Sequence, residues 1–120
     1  MCHVVIIEED FLLADHIALV LEGAGALSFA QATDETGAVE AARGRRPDLI
    51  VAEMRLASGS GRTAIGRIRD EHGAIPAIIV TGTPDAYDGQ DDATIVLAKP
   101  VSDGDLVDTF HRMIAGPTRT

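Results

Sequence analysis

A chain of 120 residues, 46% of them hydrophobic, can build one compact core and is too short for two. Its net charge of −9, from 10 Lys and Arg against 19 Asp and Glu, repels phosphate backbones and anionic membranes, so neither nucleic acid nor a membrane is an expected partner. Cys2 is the only cysteine, which excludes an intrachain disulfide and a cysteine-based metal site, and one Tyr with three Phe leaves the core to aliphatic residues.

Apolar runs and helical patterns alternate along the chain. Val4, Val5, Ile6 and Ile7 form a short β-branched run, the pattern of a strand buried on both faces. Glu8, Glu9 and Asp10 interrupt it, so it is no signal peptide, and no segment reaches the roughly 18–20 apolar residues of a membrane helix. A cytoplasmic location is expected. Residues 11–25 carry Leu13, Ile17, Val20 and Leu21 at helical spacing and end in Gly23 and Gly25. Residues 27–32 read as a weaker strand, and residues 33–44 as a helix opened by Thr33, Asp34 and Glu35. Leu49, Ile50, Val51 and Ala52 come after the Pro47–Asp48 turn as a third strand.

A loop rich in Gly and Ser covers residues 56–61, and a helix is predicted over residues 63–71. Residues 77–80 read as a fourth strand. Residues 84–92 read as a poor helix or a loop, and residues 94–97 as a fifth strand. The last helix is predicted over residues 103–115, with Leu106, Val107, Phe110 and Ile114 on one face; Gly116 and Pro117 end it, leaving too few residues for an output domain. One domain over residues 1–120 is therefore expected. Alternating strands and helices with short connections imply βαβ units and right-handed crossovers. The expected fold class is α/β: a five-stranded parallel sheet, doubly wound, flavodoxin-like, in three α/β/α layers.

In such sheets the site lies beyond the carboxyl ends of the strands. Those ends carry Glu8, Glu9 and Asp10 after the first strand, Glu53 after the third, Thr81 after the fourth, and Lys99 and Pro100 after the fifth. Solvated acidic ends are the bland alternative. It loses ground because the loops supply carboxylates, a hydroxyl and an ammonium together.

These motifs, in this order, resemble those of response-regulator receiver domains. Val5 to Asp10 is similar to the family's first motif, Pro47 to Leu56 to its second, Val80-Thr81-Gly82 to its third and Leu97-Ala98-Lys99-Pro100 to its fourth. The resemblance covers nearly the whole chain and implies a signalling module, not an enzyme. It implies that Glu53 stands at the phosphoacceptor position and that Thr81 and Lys99 sense a phosphoryl group. It also implies Mg²⁺ at Glu8, Glu9, Glu53 and the carbonyl of Arg55, and a cis peptide before Pro100. Hard oxygen ligands suit Mg²⁺, and neutralising phosphoryl oxygens suits Lys99. The implied partners are a histidine kinase or another signalling protein, with a homodimer through the last helix.

Three departures stand out: the acidic site, the switch position, and the segment between Thr81 and Lys99, which is shortened and poorly helical, so the signalling surface there is expected to be rebuilt. Glu53 replaces the family's Asp, and a displacement of about 1 Å can cost roughly 10²-fold in a positioned reaction. Glu9 replaces a second Asp, so the Mg²⁺ cavity is narrowed from two sides and metal binding is expected to be weakened. Val96 stands at the switch position where the family often has an aromatic ring, and Tyr87 does not take that role. Glu53 then reads either as a built-in mimic reaching Lys99 or as a silenced site paired with Lys99 or Arg55. Crowding of Glu8, Glu9 and Glu53 predicts at least one raised pKa.

Other motifs fail. Residues 59–63 lack the Lys of a P-loop, and the acidic first loop would repel a pyrophosphate. His3, His16, His72 and His111 have no zinc-like spacing and read as surface or strand-edge residues. Arg43, Arg45 and Arg46 read as a solvated turn. The main reading is an atypical receiver acting by phosphorylation-independent binding. The alternatives are a working phosphotransfer receiver using Mg²⁺, and a flavodoxin-like cofactor module, which scarce aromatics disfavour.

Overall fold

The computed structural model describes residues 2–84 and 93–115. The strands β1 (His3–Ile7), β2 (Ser28–Ala32), β3 (Leu49–Ala52), β4 (Ala77–Thr81) and β5 (Thr94–Ala98) are joined by α1 (Phe11–Gly23), α2 (Glu35–Gly44) and α3 (Gly61–His72), and α4 (Asp103–Ala115) comes after β5. All pair in parallel in one sheet, in the order β2-β1-β3-β4-β5. The chain moves outward from β1 to β2 and then crosses back to β3. The switch point therefore falls between β1 and β3, and their carboxyl ends flank a crevice.

The apolar runs explain the layers. Every residue of β1, β3 and β4 is buried. Alternate side chains leave opposite faces of a strand. Val5, Ile7, Ile50 and Ile79 meet Val39 of α2 and Ile65 and Ile68 of α3. Val4, Ile6, Val51 and Ile78 meet Ile17 and Leu21 of α1 and Leu106 and Phe110 of α4. Side-chain caps start the helices: Asp10 accepts from Leu12 and Leu13 N–H, Asp34 from Gly37 N–H, and Ser60 from Thr63 N–H. The Ser60 cap explains why α3 begins at Gly61, two residues before the expected 63.

Two expectations need correction. The buried stripe of α4 is Leu106, Thr109, Phe110 and Met113, with Val107 half-buried and Ile114 exposed. The i, i+3, i+4, i+7 spacing of those four residues fixes the face, so Thr109 and Met113 belong to it and Ile114 does not. His3 is not a surface or strand-edge residue. It opens an interior strand, is 5% exposed, and has Nδ1 2.7 Å from Ser28 Oγ. Burial, aided by Arg45, lowers its pKa. The expectations at Tyr87 and at Gly116 and Pro117 lie outside the described residues.

Arg69 of α3 ties the sheet's far edge. Its guanidinium donates to the carbonyls of Ile75 (3.0 Å) and Ala93 (2.8 Å) and to Thr94 Oγ1 (2.9 Å). Arg69→Ala leaves these acceptors without their charged donor. It is expected to cost about 2–3 kcal/mol, read as a lower urea midpoint with an unchanged slope.

Candidate functional site at the strand ends

The parallel ladder runs one residue past the strands and so fixes the first residue of each loop. Glu8 N–H donates to Ala32 O (2.9 Å), Glu53 N–H to Ile7 O (3.0 Å) and Lys99 N–H to Thr81 O (2.8 Å). Glu8, Glu53 and Lys99 thus start from rigid backbone. Their side chains converge with Ile6, Leu13, Ile17 and Val80 around one small pocket.

Lys99 Nζ lies 2.8 Å from Glu53 Oε1 and 3.6 Å from Glu8 Oε1. The Glu8 side chain is 6% exposed and the Glu53 side chain 14%, so both carboxylates are largely withdrawn from water. Burial raises the Glu8 pKa, opposed by the Lys99 charge and reinforced by that of Glu53. Glu8 Oε2 is buried with no hydrogen-bond partner among the described residues. For Lys99, burial alone would lower the pKa. The hydrogen bond Lys99 donates to Glu53 and the charges of Glu8 and Glu53 outweigh it, and the pKa of the ammonium is held above its ordinary value. The remaining oxygen of Glu53 accepts from Met54 N–H (2.5 Å) and, at 3.4 Å, from Arg55 N–H.

Glu9 is exposed and accepts Ala57 N–H at 3.2 Å, so it points onto the β3–α3 loop and not toward Lys99. Thr81 is 1% exposed, and its hydroxyl accepts Thr83 N–H at 3.2 Å. Arg55 meets Glu53 through its amide and bridges to Ser60, while its side chain lies among exposed positions. Of the two counter-ions weighed for Glu53, Lys99 is the one its carboxylate meets through a side chain. The Lys99–Pro100 peptide is cis. Val96 is half-buried on β5 against the α2–α3 side of the core.

Sequence reasoning missed Glu35. Its Oε2 accepts Ser60 N–H at 2.8 Å, reaching from the first turn of α2 to the loop after Glu53. An acidic residue in a first helical turn is ordinary, so nothing marked it.

Receiver domains generally bind Mg²⁺ at their phosphorylation site. In this arrangement an ammonium lies against Glu8 and Glu53 while Glu9 is engaged elsewhere, and the described residues include no group of three or more His, Cys, Asp or Glu placed to hold a metal ion. The donor set as arranged does not fit a divalent cation.

Acidic and cationic side chains gathered at the switch point of a five-stranded parallel sheet define a receiver-type signalling module. The chain belongs to the response regulator receiver domain family, whose pattern matches residues 4–111. It is 32% identical over 113 residues to the KDP operon transcriptional regulatory protein KdpE of Escherichia coli K12, a match covering 88% of this chain and 48% of KdpE. The chain thus spans about half the length of that relative. Its fold superposes on the receiver domain of the Erythrobacter litoralis response regulator PhyR with a TM-score of 0.85, at 23% identity over 99% of this chain and 95% of that one. A mutant of the anti-anti-sigma factor PhyR from Bartonella quintana gives 0.81 at 25% identity, covering 95% of this chain and 48% of that one. Receiver domains work with histidine kinases and other signalling proteins. No helix among the described residues is long and apolar enough to cross a membrane.

Proposed function

We propose that this chain is an atypical receiver of phosphorelay signalling that binds its kinase or regulator partner without being phosphorylated. The observation that carries the reading is the 2.8 Å pair between Lys99 and Glu53. The lysine expected to meet a phosphoryl oxygen already holds the carboxylate at the acceptor position. A carboxylate carries one negative charge where a phosphoryl group carries nearly two, so the pair is a fixed, partial substitute. Glu53 is also a poor nucleophile here. One oxygen is committed to Lys99 and the other to backbone amides, and the longer side chain misplaces both for in-line attack.

Partner contact falls naturally on α1. Phe11 (65% exposed), Leu12 (84%) and Leu19 (67%) stand out from it beside Asp15 and Glu22. Exposed apolar residues rimmed by charge are the makings of a protein interface.

The test is intact mass after incubation with acetyl phosphate and MgCl₂. The native chain is expected to gain nothing, and Glu53→Asp to gain one phosphoryl group. A phosphoryl gain by the native chain on Glu53 would make it a working phosphotransfer receiver instead.

A further inference from the structure

The β3–α3 loop is closed on itself and pinned from outside. Within it, Leu56 N–H donates to Gly59 O (3.3 Å), Gly61 N–H donates to Met54 O (2.8 Å), and Arg55 bridges to Ser60. From outside come two carboxylates on different elements. Glu9, in the loop after β1, accepts Ala57 N–H at 3.2 Å. Glu35, at the start of α2, accepts Ser60 N–H at 2.8 Å, and its other oxygen lies 3.7 Å from Arg67 Nη1. Gly59 adopts φ +86° beneath Glu35, and a Cβ there would collide with the Glu35 carboxylate. Glycine at that position lets the carboxylate come down onto the loop. The amides of Met54 and Arg55, which grip Glu53, belong to this same loop.

We propose that Glu9 and Glu35 are paired positioning residues that clamp the β3–α3 loop so that its amides hold Glu53, and that Glu9 serves this clamp in place of binding a cation. Side-chain length sets the choice. The extra methylene of Glu9 spans the crevice to Ala57, and an aspartate there would fall short and stay near Glu8. Charge sets the rest. With Lys99 as counter-ion for Glu8 and Glu53, a third carboxylate in the pocket would add repulsion, whereas on Ala57 it makes a charge-assisted bond to a loop amide. The clamp does not depend on whether Glu53 ever accepts a phosphoryl group, so it stands or falls apart from the proposed function.

The experiment is amide hydrogen exchange by NMR on the full chain and on Glu9→Ala, Glu35→Ala and Glu9→Asp, with MgCl₂ titrations of each. Glu9→Ala should speed exchange at Ala57, and Glu35→Ala at Ser60, each roughly tenfold or more. Each should also loosen the other's amide and those of Met54 and Arg55, while amides of β1, β3 and β4 keep native rates. A structural defect without clamping would instead spread into the strands. Glu9→Asp should lose the Ala57 protection and bind Mg²⁺ roughly tenfold tighter than the native chain. Exchange over residues 54–60 within about twofold of native in Glu9→Ala and Glu35→Ala would overturn the clamp. So would weaker Mg²⁺ binding in Glu9→Ala than in the native chain, whatever the loop does, because Glu9 would then be a ligand.

Discussion

Lys99→Ala is expected to destabilise the fold by about 3 kcal/mol, at the low end of what breaking a buried ion pair costs, because Lys99 itself is 30% exposed. The loss does not come from the Lys99–Glu53 contact alone. It comes from leaving two largely buried carboxylates, Glu8 and Glu53, facing each other without a cation. Glu53 keeps its amide donors, whereas Glu8 Oε2 has none among the described residues. Glu8 therefore escapes by taking a proton, which caps the cost.

That escape gives the effect a pH signature. Burial already raises the Glu8 pKa above its ordinary 4.5, and removing the Lys99 charge, which pulls it down, raises it further. A group whose pKa is raised on folding contributes stability that is full below its unfolded pKa and is lost as pH rises through its folded pKa. The deficit of Lys99→Ala should be small near about pH 5 and grow toward about pH 8. In the native chain the raised pKa of Lys99 keeps its own contribution intact below 10.5, so the pair itself does not dissolve in that window. Chemical denaturation of both proteins across the range checks this. Adding Glu8→Gln to Lys99→Ala should recover part of the loss at the higher pH. A deficit below about 1 kcal/mol that ignores pH would mean the lysine behaves as an ordinary surface charge.

Much of this architecture is legible in the sequence because the strands are buried on both faces. Continuous runs such as Val4 to Ile7 and Leu49 to Ala52 have no other easy reading beside short helices, and their carboxyl ends place Glu8, Glu53, Thr81 and Lys99 at one edge. What the sequence hides is direction. Glu8 and Glu9 are neighbours with the same side chain, yet Glu8 points into the pocket and Glu9 onto Ala57. Successive residues leaving a strand diverge, and only the position of the next loop decides what each meets. Glu35 is invisible for the same reason, since its partner Ser60 lies 25 residues away. His3 misleads because a polar residue at a strand start usually faces solvent; pairing of β1 on both sides buries it. On α4 the helical period is plain in the sequence but the face is not, because Thr109 and Met113 serve the core in place of the more obvious Val107 and Ile114.

Gly61→Ala, at the first residue of α3, should be strongly disruptive for a single added methyl. Gly61 caps no positive-φ turn, so the demand is purely one of space. A Cβ there would fall well inside van der Waals contact of the Glu53 carbonyl oxygen, 2.9 Å from its carbonyl carbon and 3.1 Å from Ala52 Cβ. Backbone cannot rotate away as a side-chain tip can. Either the start of α3 moves out, breaking the bond from Gly61 N–H to Met54 O, or the peptide after Glu53 moves and carries the carboxylate from Lys99. A cost of about 3 kcal/mol is expected, at the upper end for overpacking. The comparison is Gly66→Ala on the same helix, where a Cβ meets nothing within 4 Å. That change should stabilise by about 0.5–1 kcal/mol, through helix propensity and a less flexible unfolded chain. Opposite signs in urea midpoints for two Gly→Ala changes five residues apart on α3 would separate close packing against Glu53 from any general intolerance of the helix. Equal and small effects would mean that the loop yields easily, and that the amides of Met54 and Arg55 do not fix Glu53 against Lys99.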